Sequence, residues 1–214
     1  MTTFRAFRIH NDDTGYRAAI ETMQADALSP GEVLIKVAYS SVNYKDALAG
    51  TGKGRILRRY PLNGGIDVAG HVAASTDPAF KEGDAVLCTG SGLSETRDGG
   101  YAEYARLDAR WTIPLPGGMN LRESMILGTA GFTAALALLR MQDNRQTPEL
   151  GPIAVTGASG GVGQLAIDIF SRAGYTVHAI SGKTAHFDFL RELGASECID
   201  RHLLAFNGKP MDST

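Results

Sequence analysis

The stretch Thr156–Ala166, "TGASGGVGQLA", decides how this chain is read. It follows the short apolar run Pro152–Val155, "PIAV", and opens a segment with helical patterning. Gly157, Gly160, Gly161 and Gly163 fall where a strand would have to turn into a helix. Within it, "GVGQLA" from Gly161 to Ala166 fits the dinucleotide fingerprint, with alanine in the third small position. On that fit Gly161 permits the sharp turn, Gly163 lets backbone amides approach a pyrophosphate, and Ala166 lets the helix pack tightly on the sheet. A helix beginning near Val162 would point unpaired N–H groups and its positive dipole end at the phosphates. The dipole contributes only ~0.3–1 kcal/mol per exposed charge, so amide hydrogen bonds must do most of the holding. The plainer alternative is a glycine turn that merely lets a helix pack on a strand.

The residues downstream set the motif in context. Strand "IAVTG", helix "VGQLAIDIFSRAG", strand "TVHAIS", helix "AHFDFLRELGA" and strand "ECID" make the βαβαβ pattern of a parallel sheet. Gly174 and Gly194 fall at expected helix C-caps. An NAD-preferring site usually carries an acidic residue about 20 positions beyond the first glycine. Here that count lands on Ser181 in "ISGKTA", where no carboxylate stands. Ser181, the amide of Gly182 and the cation of Lys183 suit a 2′-phosphate instead, which favours NADP(H); the alternative for Lys183 is a solvated surface lysine. The tail "NGKPMDST" reads as a loop or frayed end.

Upstream the pattern differs. "FRAFRI", "GEVLIKVAYSSV", "GIDVAGHVAA", "DAVLCTG", "YAEYARL" and "WTIPL" read as short strands, with Val33, Ile35 and Val37 on one face. Turn signals "SPGE", "KEGD", "RDGG" and "PLPGG" lie between them. Short strands at this spacing predict a small β-barrel or sandwich. A helix is expected to start at Asn120, with Glu123 in the capping-box position.

At 214 residues, 43% hydrophobic and 21% charged, the chain has ordinary globular composition, and its net charge of −2 gives no electrostatic case for nucleic acid or an anionic membrane. Cys88 and Cys198 lie far apart without companions at ligand spacing, which argues against a disulfide framework or a cysteine zinc site. No signal peptide is visible, and the longest apolar stretch, "MILGTAGFTAALALL", is too short and too rich in glycine and threonine to span a bilayer. A cytoplasmic location with reduced thiols is expected.

Taken together, "SSVNYKDALAGTGKG", "GIDVAGHV", "GDAVL", "GGYAEYA", "ILGTAGFTA" and "TGASGGVG" resemble the medium-chain dehydrogenase/reductase superfamily, in its zinc-free quinone-oxidoreductase-like branch. Within that branch "NYKDALAGTGKGRILRRYPLNGGIDVAG" and "GTAGFTAALAL" are most similar to acrylyl-CoA reductases. The resemblance implies an α/β fold: a GroES-like β-barrel domain over 1–125, followed by a partial, C-terminally truncated Rossmann nucleotide-binding domain over 126–214. Zinc-dependent members place a cysteine at Asn43 and a histidine at Ile66; both are missing, so no metal is expected. His71 stands in a strand-like stretch without partner ligands and reads as structural.

By the same resemblance, Ser159, Gly160, Gly161 and Val162 match the pyrophosphate turn, and Ser181, Gly182 and Lys183 match the adenosine-phosphate contacts. Lysine at the last of these, where the family usually has arginine, keeps the charge but loses the bidentate fork. Tyr44 matches a tyrosine that lies against the nicotinamide. The implied reaction is hydride delivery from NADPH to the β-carbon of an α,β-unsaturated acyl-CoA, then protonation at the α-carbon. Tyr44 is the leading candidate to orient the reactants or supply a proton, with Asn43 and Asp46 as weaker positioning candidates. An N-cap or a lysine salt bridge is the alternative for Asp46, and a packed aromatic for Tyr44. Two other readings stand beside this one: an NADPH:quinone reductase, and a nucleotide-binding fragment with little or no catalysis, since only three of the six strands of a complete sheet of this type are accounted for. Full-length relatives imply a homo-oligomer.

Overall fold

The computed structural model describes residues 2–204; the tail "NGKPMDST" lies outside them. The chain divides into two compact units after Thr129, against the 125/126 boundary expected from the sequence.

The first unit is antiparallel β-structure. β1 (Thr3–Asp12) and β2 (Gly15–Gln24) form a hairpin, and β4 (Leu62–Asn63) pairs on the other side of β1. The hairpin turn follows from local chemistry. Gly15 takes φ +98°, and the Asp12 carboxylate accepts from the Thr14 amide at 3.0 Å and from Arg17 at 2.8 Å. β2 was not foreseen in the sequence. It is an edge strand whose side chains are mostly exposed, so "GYRAAIETMQ" lacks an apolar alternation strong enough to stand out.

The second sheet runs β7-β3-β5-β6-β8, all antiparallel: β3 (Val33–Tyr39), β5 (Asp67–Ser75), β6 (Ala85–Thr89), β7 (Tyr104–Leu107) and β8 (Ile113–Pro114). Val33 and Ile35 are fully buried, with Val37 partly so, on the face read from their alternation; Val68, Val72, Val86, Cys88 and Leu107 are among the other residues of that core. Burial pushes the Cys88 thiol up to about 11, so it stays protonated at neutral pH. The short helix α1 (Tyr44–Thr51) follows β3.

The helix expected from Asn120 is α2 (Leu121–Asp143). Its capping box is in place: the Glu123 amide donates to Asn120 Oδ1, and the Asn120 amide donates to Glu123 Oε2, both at 2.9 Å. Because the helix extends past the apolar run at both ends, its length and composition would suffice to cross a membrane. It is broken at Gly128 (φ 48°, ψ −152°), which is non-helical, so the hydrogen-bond ladder is not continuous over that span.

The second unit is the predicted βαβαβ segment. β9 (Ile153–Thr156), β10 (Val177–Ser181) and β11 (Ala195–Asp200) form a parallel sheet in the order β11-β10-β9. α3 (Gly161–Arg172) and α4 (Phe187–Glu192) are the crossovers. α3 buries Gly163, Ala166, Ile167 and Phe170, the i, i+3, i+4, i+7 stripe of a helix packed on a sheet. It ends at Gly174 (φ 91°), with the Tyr175 amide returning to the Phe170 carbonyl at 3.1 Å. Gly194, beyond α4, also has positive φ, as expected of a C-cap.

Candidate functional site

The glycine turn connects β9 to α3, but its glycines divide the work differently from the fingerprint's usual assignment. The left-handed residue is Gly157, at φ +61°. Gly161 is the first helical residue, and a Cβ there would meet only Ala130 Cβ, at 3.9 Å. Gly161 therefore does not make the turn; it leaves open space before the helix end. Gly163 is excluded from bearing a side chain by the protein itself. Its Cβ would stand 2.5 Å from the Gly157 carbonyl oxygen and 2.7 Å from Ala158 Cα. Gly163 is thus required by the fold as well: it lets the helix close on the turn. Gly163→Ala is predicted to destabilise the chain by about 1–3 kcal/mol, because rigid backbone must move. Gly161→Ala should leave urea stability within about 0.5 kcal/mol, as for sites where nothing is crowded. Equal losses in the two variants would refute this division.

The first turn of α3 leaves the amides of Gly161, Val162 and Gly163 without intrahelical partners, and the first helical bond observed is Gln164 N–H to the Gly160 carbonyl at 2.9 Å. The turn is held from both ends. Gln164 Nε2 donates to the Ser159 carbonyl at 2.9 Å, and the Ser159 and Ser181 hydroxyls lie 2.9 Å apart. Ser181, 4% exposed at the end of β10, also accepts from the Lys183 amide at 3.1 Å.

A cleft of about 380 Å³ opens at the C-terminal ends of the three strands, lined by Gly157, Ser159, Ser181, Gly182, Lys183 and Arg201 among others. That is where open α/β sheets bind ligands. Arg201 was not identified from the sequence. Parallel pairing sets Asp200 opposite Ser181, and Arg201 follows across Gly182, where a Cβ would come within 2.6 Å of its Nε. The Asp200 carboxylate caps the next turn, accepting from the His202 amide at 2.9 Å. Among the described residues no carboxylate lines the cleft, while two cations do.

The first unit holds the other candidate residues. Tyr44 is the first residue of α1 and is 80% exposed. Asp46 is buried: it accepts from the Asn43 amide at 2.8 Å and from the Ile66 amide at 2.9 Å. Asp46 thus stands at N3 of a capping box whose N-cap is Asn43, rather than at the N-cap considered from sequence, and it locks the segment preceding Tyr44. Asn43 Nδ2 donates to Asp67 at 2.8 Å and lies 3.1 Å from Ser41 Oγ. The two positions compared with zinc ligands thus carry an amide nitrogen committed to carboxylates and an apolar side chain, Ile66, 5% exposed. That donor set does not fit a cation. His71 is exposed, with Nδ1 3.2 Å from the Gly83 carbonyl, and no group of three or more metal-ligating side chains occurs among the described residues.

Two further residues of this network escaped the sequence reading. Asp67 is fully buried and accepts from Ser41, Asn43 and Thr129. Tyr101 donates to the Ser41 carbonyl at 2.9 Å. Burial, reinforced by the Asp46 and Asp67 carboxylates, raises its pKa and holds the hydroxyl protonated.

Residues 29–117 match the alcohol dehydrogenase GroES-like domain. The chain is 43% identical to a probable acrylyl-CoA reductase of Escherichia coli, over 97% of this chain and 64% of the relative. It is 46% identical to the putative quinone oxidoreductase YhfP of Bacillus subtilis, over 94% of this chain and 61% of the relative; a crystal structure of that protein with NAD bound superposes with a TM-score of 0.89 over the same shares. The YhdH oxidoreductase of Salmonella enterica in complex with NADP is 43% identical and gives a TM-score of 0.90, over 94% of this chain and 62% of that one. The chain spans 61–64% of the length of the curated relatives it matches here. A GroES-like first unit followed by a parallel sheet with a glycine-rich phosphate turn, together with these likenesses, shows that the chain belongs to the medium-chain dehydrogenase/reductase superfamily.

Proposed function

We propose that the chain provides the NADP(H)-binding and part of the catalytic apparatus of a cytoplasmic reductase acting on α,β-unsaturated acyl-CoA thioesters. The observation that carries the cofactor assignment is the cleft at the ends of β9–β11, where Lys183 and Arg201 stand and, among the described residues, no carboxylate does. Its residues fit the cofactor: the α3 amides and the Ser159 turn suit a pyrophosphate, and Ser181, Gly182, Lys183 and Arg201 suit a ribose bearing a 2′-phosphate. The acceptor assignment rests on the likeness to the acrylyl-CoA reductase.

When bound, NADPH would supply the hydride for the β-carbon, and a proton would complete the α-carbon. Negative charge gathers on the thioester oxygen in that step, and a donor aimed at it lowers the barrier. Tyr44, exposed at the start of α1, is assigned to orient the reactants or deliver the proton. Asn43 and Asp46 are positioning residues, because their polar atoms are bound to one another, to Asp67 and to the Ile66 amide. Tyr44→Phe is expected to lower kcat by about 10²-fold, the lower end for a positioned acid, with little change in urea stability. An unchanged kcat and NADPH affinity would remove Tyr44 from the reaction.

The test of the whole reading is to titrate the purified chain with NADPH and NADH by fluorescence. Cofactor absorbance is then followed with acryloyl-CoA and with a quinone. Preference for NADPH and consumption with the thioester support it. Equal affinity for the two cofactors, or consumption with the quinone alone, overturns the corresponding half. The quinone reading has its own support in the likeness to YhfP. Tight NADPH binding with no turnover on either acceptor would favour a nucleotide-binding segment without catalysis.

A further inference from the structure

The basic run Gly52–Arg59, "GKGRILRR", takes no part in the reduction proposed above. It borders a cavity of about 830 Å³ that lies wholly within the first unit, walled by Tyr16, Lys45, Arg55, Arg58, Tyr60 and Glu95 among others. The volume is that of a small-molecule pocket. Its wall is fixed by packing. The hydroxyl of Tyr16 donates to the Ala49 carbonyl, and the Tyr16 and Tyr60 rings meet edge to face, 6.2 Å between centroids and 83° between planes. α1 ends at Gly52 with φ 68°, and a Cβ there would lie 2.8 Å from the Tyr16 ring. Both tyrosines pack against the buried cluster Ile9, Ala49, Leu57 and Leu62.

The charges in this cavity are unevenly matched. Lys45 is paired with Glu95. Arg59 is engaged elsewhere, donating to the Thr96 carbonyl at 2.6 Å and to Ser29 Oγ at 2.7 Å. The side chains of Arg55 and Arg58 make no hydrogen bond or ion pair among the described residues, and both are exposed to solvent at the cavity. Two guanidinium groups are therefore uncompensated at one pocket, in a chain whose net charge is −2.

We propose that this cavity is the subsite for the nucleotide end of a coenzyme A thioester. Arg55 and Arg58 bind its phosphates, for which the guanidinium fork is suited, and the tyrosine wall takes the adenine face. The proposal rests on the enoyl-thioester reading and sharpens it. A quinone carries no phosphate and gains nothing from this pair of cations.

Calorimetry with coenzyme A, with pantetheine (which lacks the nucleotide) and with NADPH tests it, on the chain and on Arg55→Gln/Arg58→Gln. Both substitutions are of exposed, unpaired side chains, and an unchanged thermal midpoint verifies that the fold is retained. The expected result is coenzyme A binding at least tenfold weaker in the variant, falling with added salt in the parent. Pantetheine and NADPH should bind the two proteins alike. Equal coenzyme A affinity in parent and variant, or no binding to the parent, overturns the subsite. A parallel loss of NADPH affinity also overturns it, since the arginines would then serve the cofactor. Reduction of acryloyl-pantetheine separates this proposal from the one beneath it. If both proteins reduce it while coenzyme A does not bind, the subsite alone falls. If neither reduces it while coenzyme A binding depends on the arginines, the subsite stands and the reductase reading falls.

Discussion

Replacing both Lys183 and Arg201 by glutamine should weaken NADPH binding by about two orders of magnitude while leaving NADH nearly untouched. A hydrogen bond to a charged group contributes about 1.5–3 kcal/mol, or roughly tenfold to a hundredfold in affinity. Lys183 and Arg201 line the same cleft at the ends of the parallel strands, and Arg201 lies across Gly182. Two cations serving one phosphate share its charge, so the double loss should be smaller than the product of the single losses. Each single variant is expected to lose about thirtyfold, within that range. Fluorescence titration of both cofactors gives the ratio directly. An NADH loss as large as the NADPH loss would show that these side chains hold the part common to both cofactors. Arg201 also bears on the lysine at 183. A bidentate fork absent at one position of the cleft is present at another, so lysine at 183 need not mean weak discrimination against NADH.

The prominence of the α3 turn in the sequence, and the obscurity of Arg201, have the same physical origin. A βα turn is local: glycine spacing, the apolar run before it and the helical stripe after it all lie within about twenty residues, the length of one such unit. Its existence was therefore legible. The duties of the individual glycines were not, because they depend on which neighbour each absent Cβ would strike. Only the folded backbone shows that Gly163 faces the Gly157 carbonyl, and that Gly157 carries the positive φ. Arg201 reaches the site through the pairing of β10 with β11, a relation between distant segments. The one available signal was a cation just past the end of the third strand, at the edge where ligands bind. β2 was missed for the opposite reason: at a sheet edge few side chains need be apolar. In the first unit the motif "NYKD" pointed to Asn43, Tyr44 and Asp46, but the partner of Asn43, Asp67, lies within a run that reads simply as strand.

That partner is where the largest loss of stability is expected. Asp67 is fully buried, with no ion-pair partner among the described residues, and is held by hydrogen bonds alone. Oδ2 accepts from Ser41 Oγ, from Asn43 Nδ2 at 2.8 Å and from the Thr129 amide at 3.0 Å; Oδ1 accepts from Thr129 Oγ1 at 2.6 Å. Gly128 breaks the helix immediately before Thr129, and a Cβ at Gly128 would lie 2.7 Å from Asp67 Oδ2, so the interrupted backbone and the carboxylate fit as one arrangement. Asp67→Ala removes at once the acceptor of Ser41, of Asn43 and of both Thr129 donors. Each buried unsatisfied group costs about 1–3 kcal/mol, so a total of about 3–5 kcal/mol is expected from urea unfolding. Asp67→Asn separates the two explanations of that loss. Its carbonyl oxygen can take the Oδ2 position and keep those donors, while its NH₂ group faces Thr129 Oγ1, which can turn to accept. If acceptor geometry is what the network needs, the asparagine variant should lose only about 1–2 kcal/mol, of the order of one neutral hydrogen bond. If it loses as much as alanine, the negative charge itself is required, and the account by hydrogen-bond satisfaction fails.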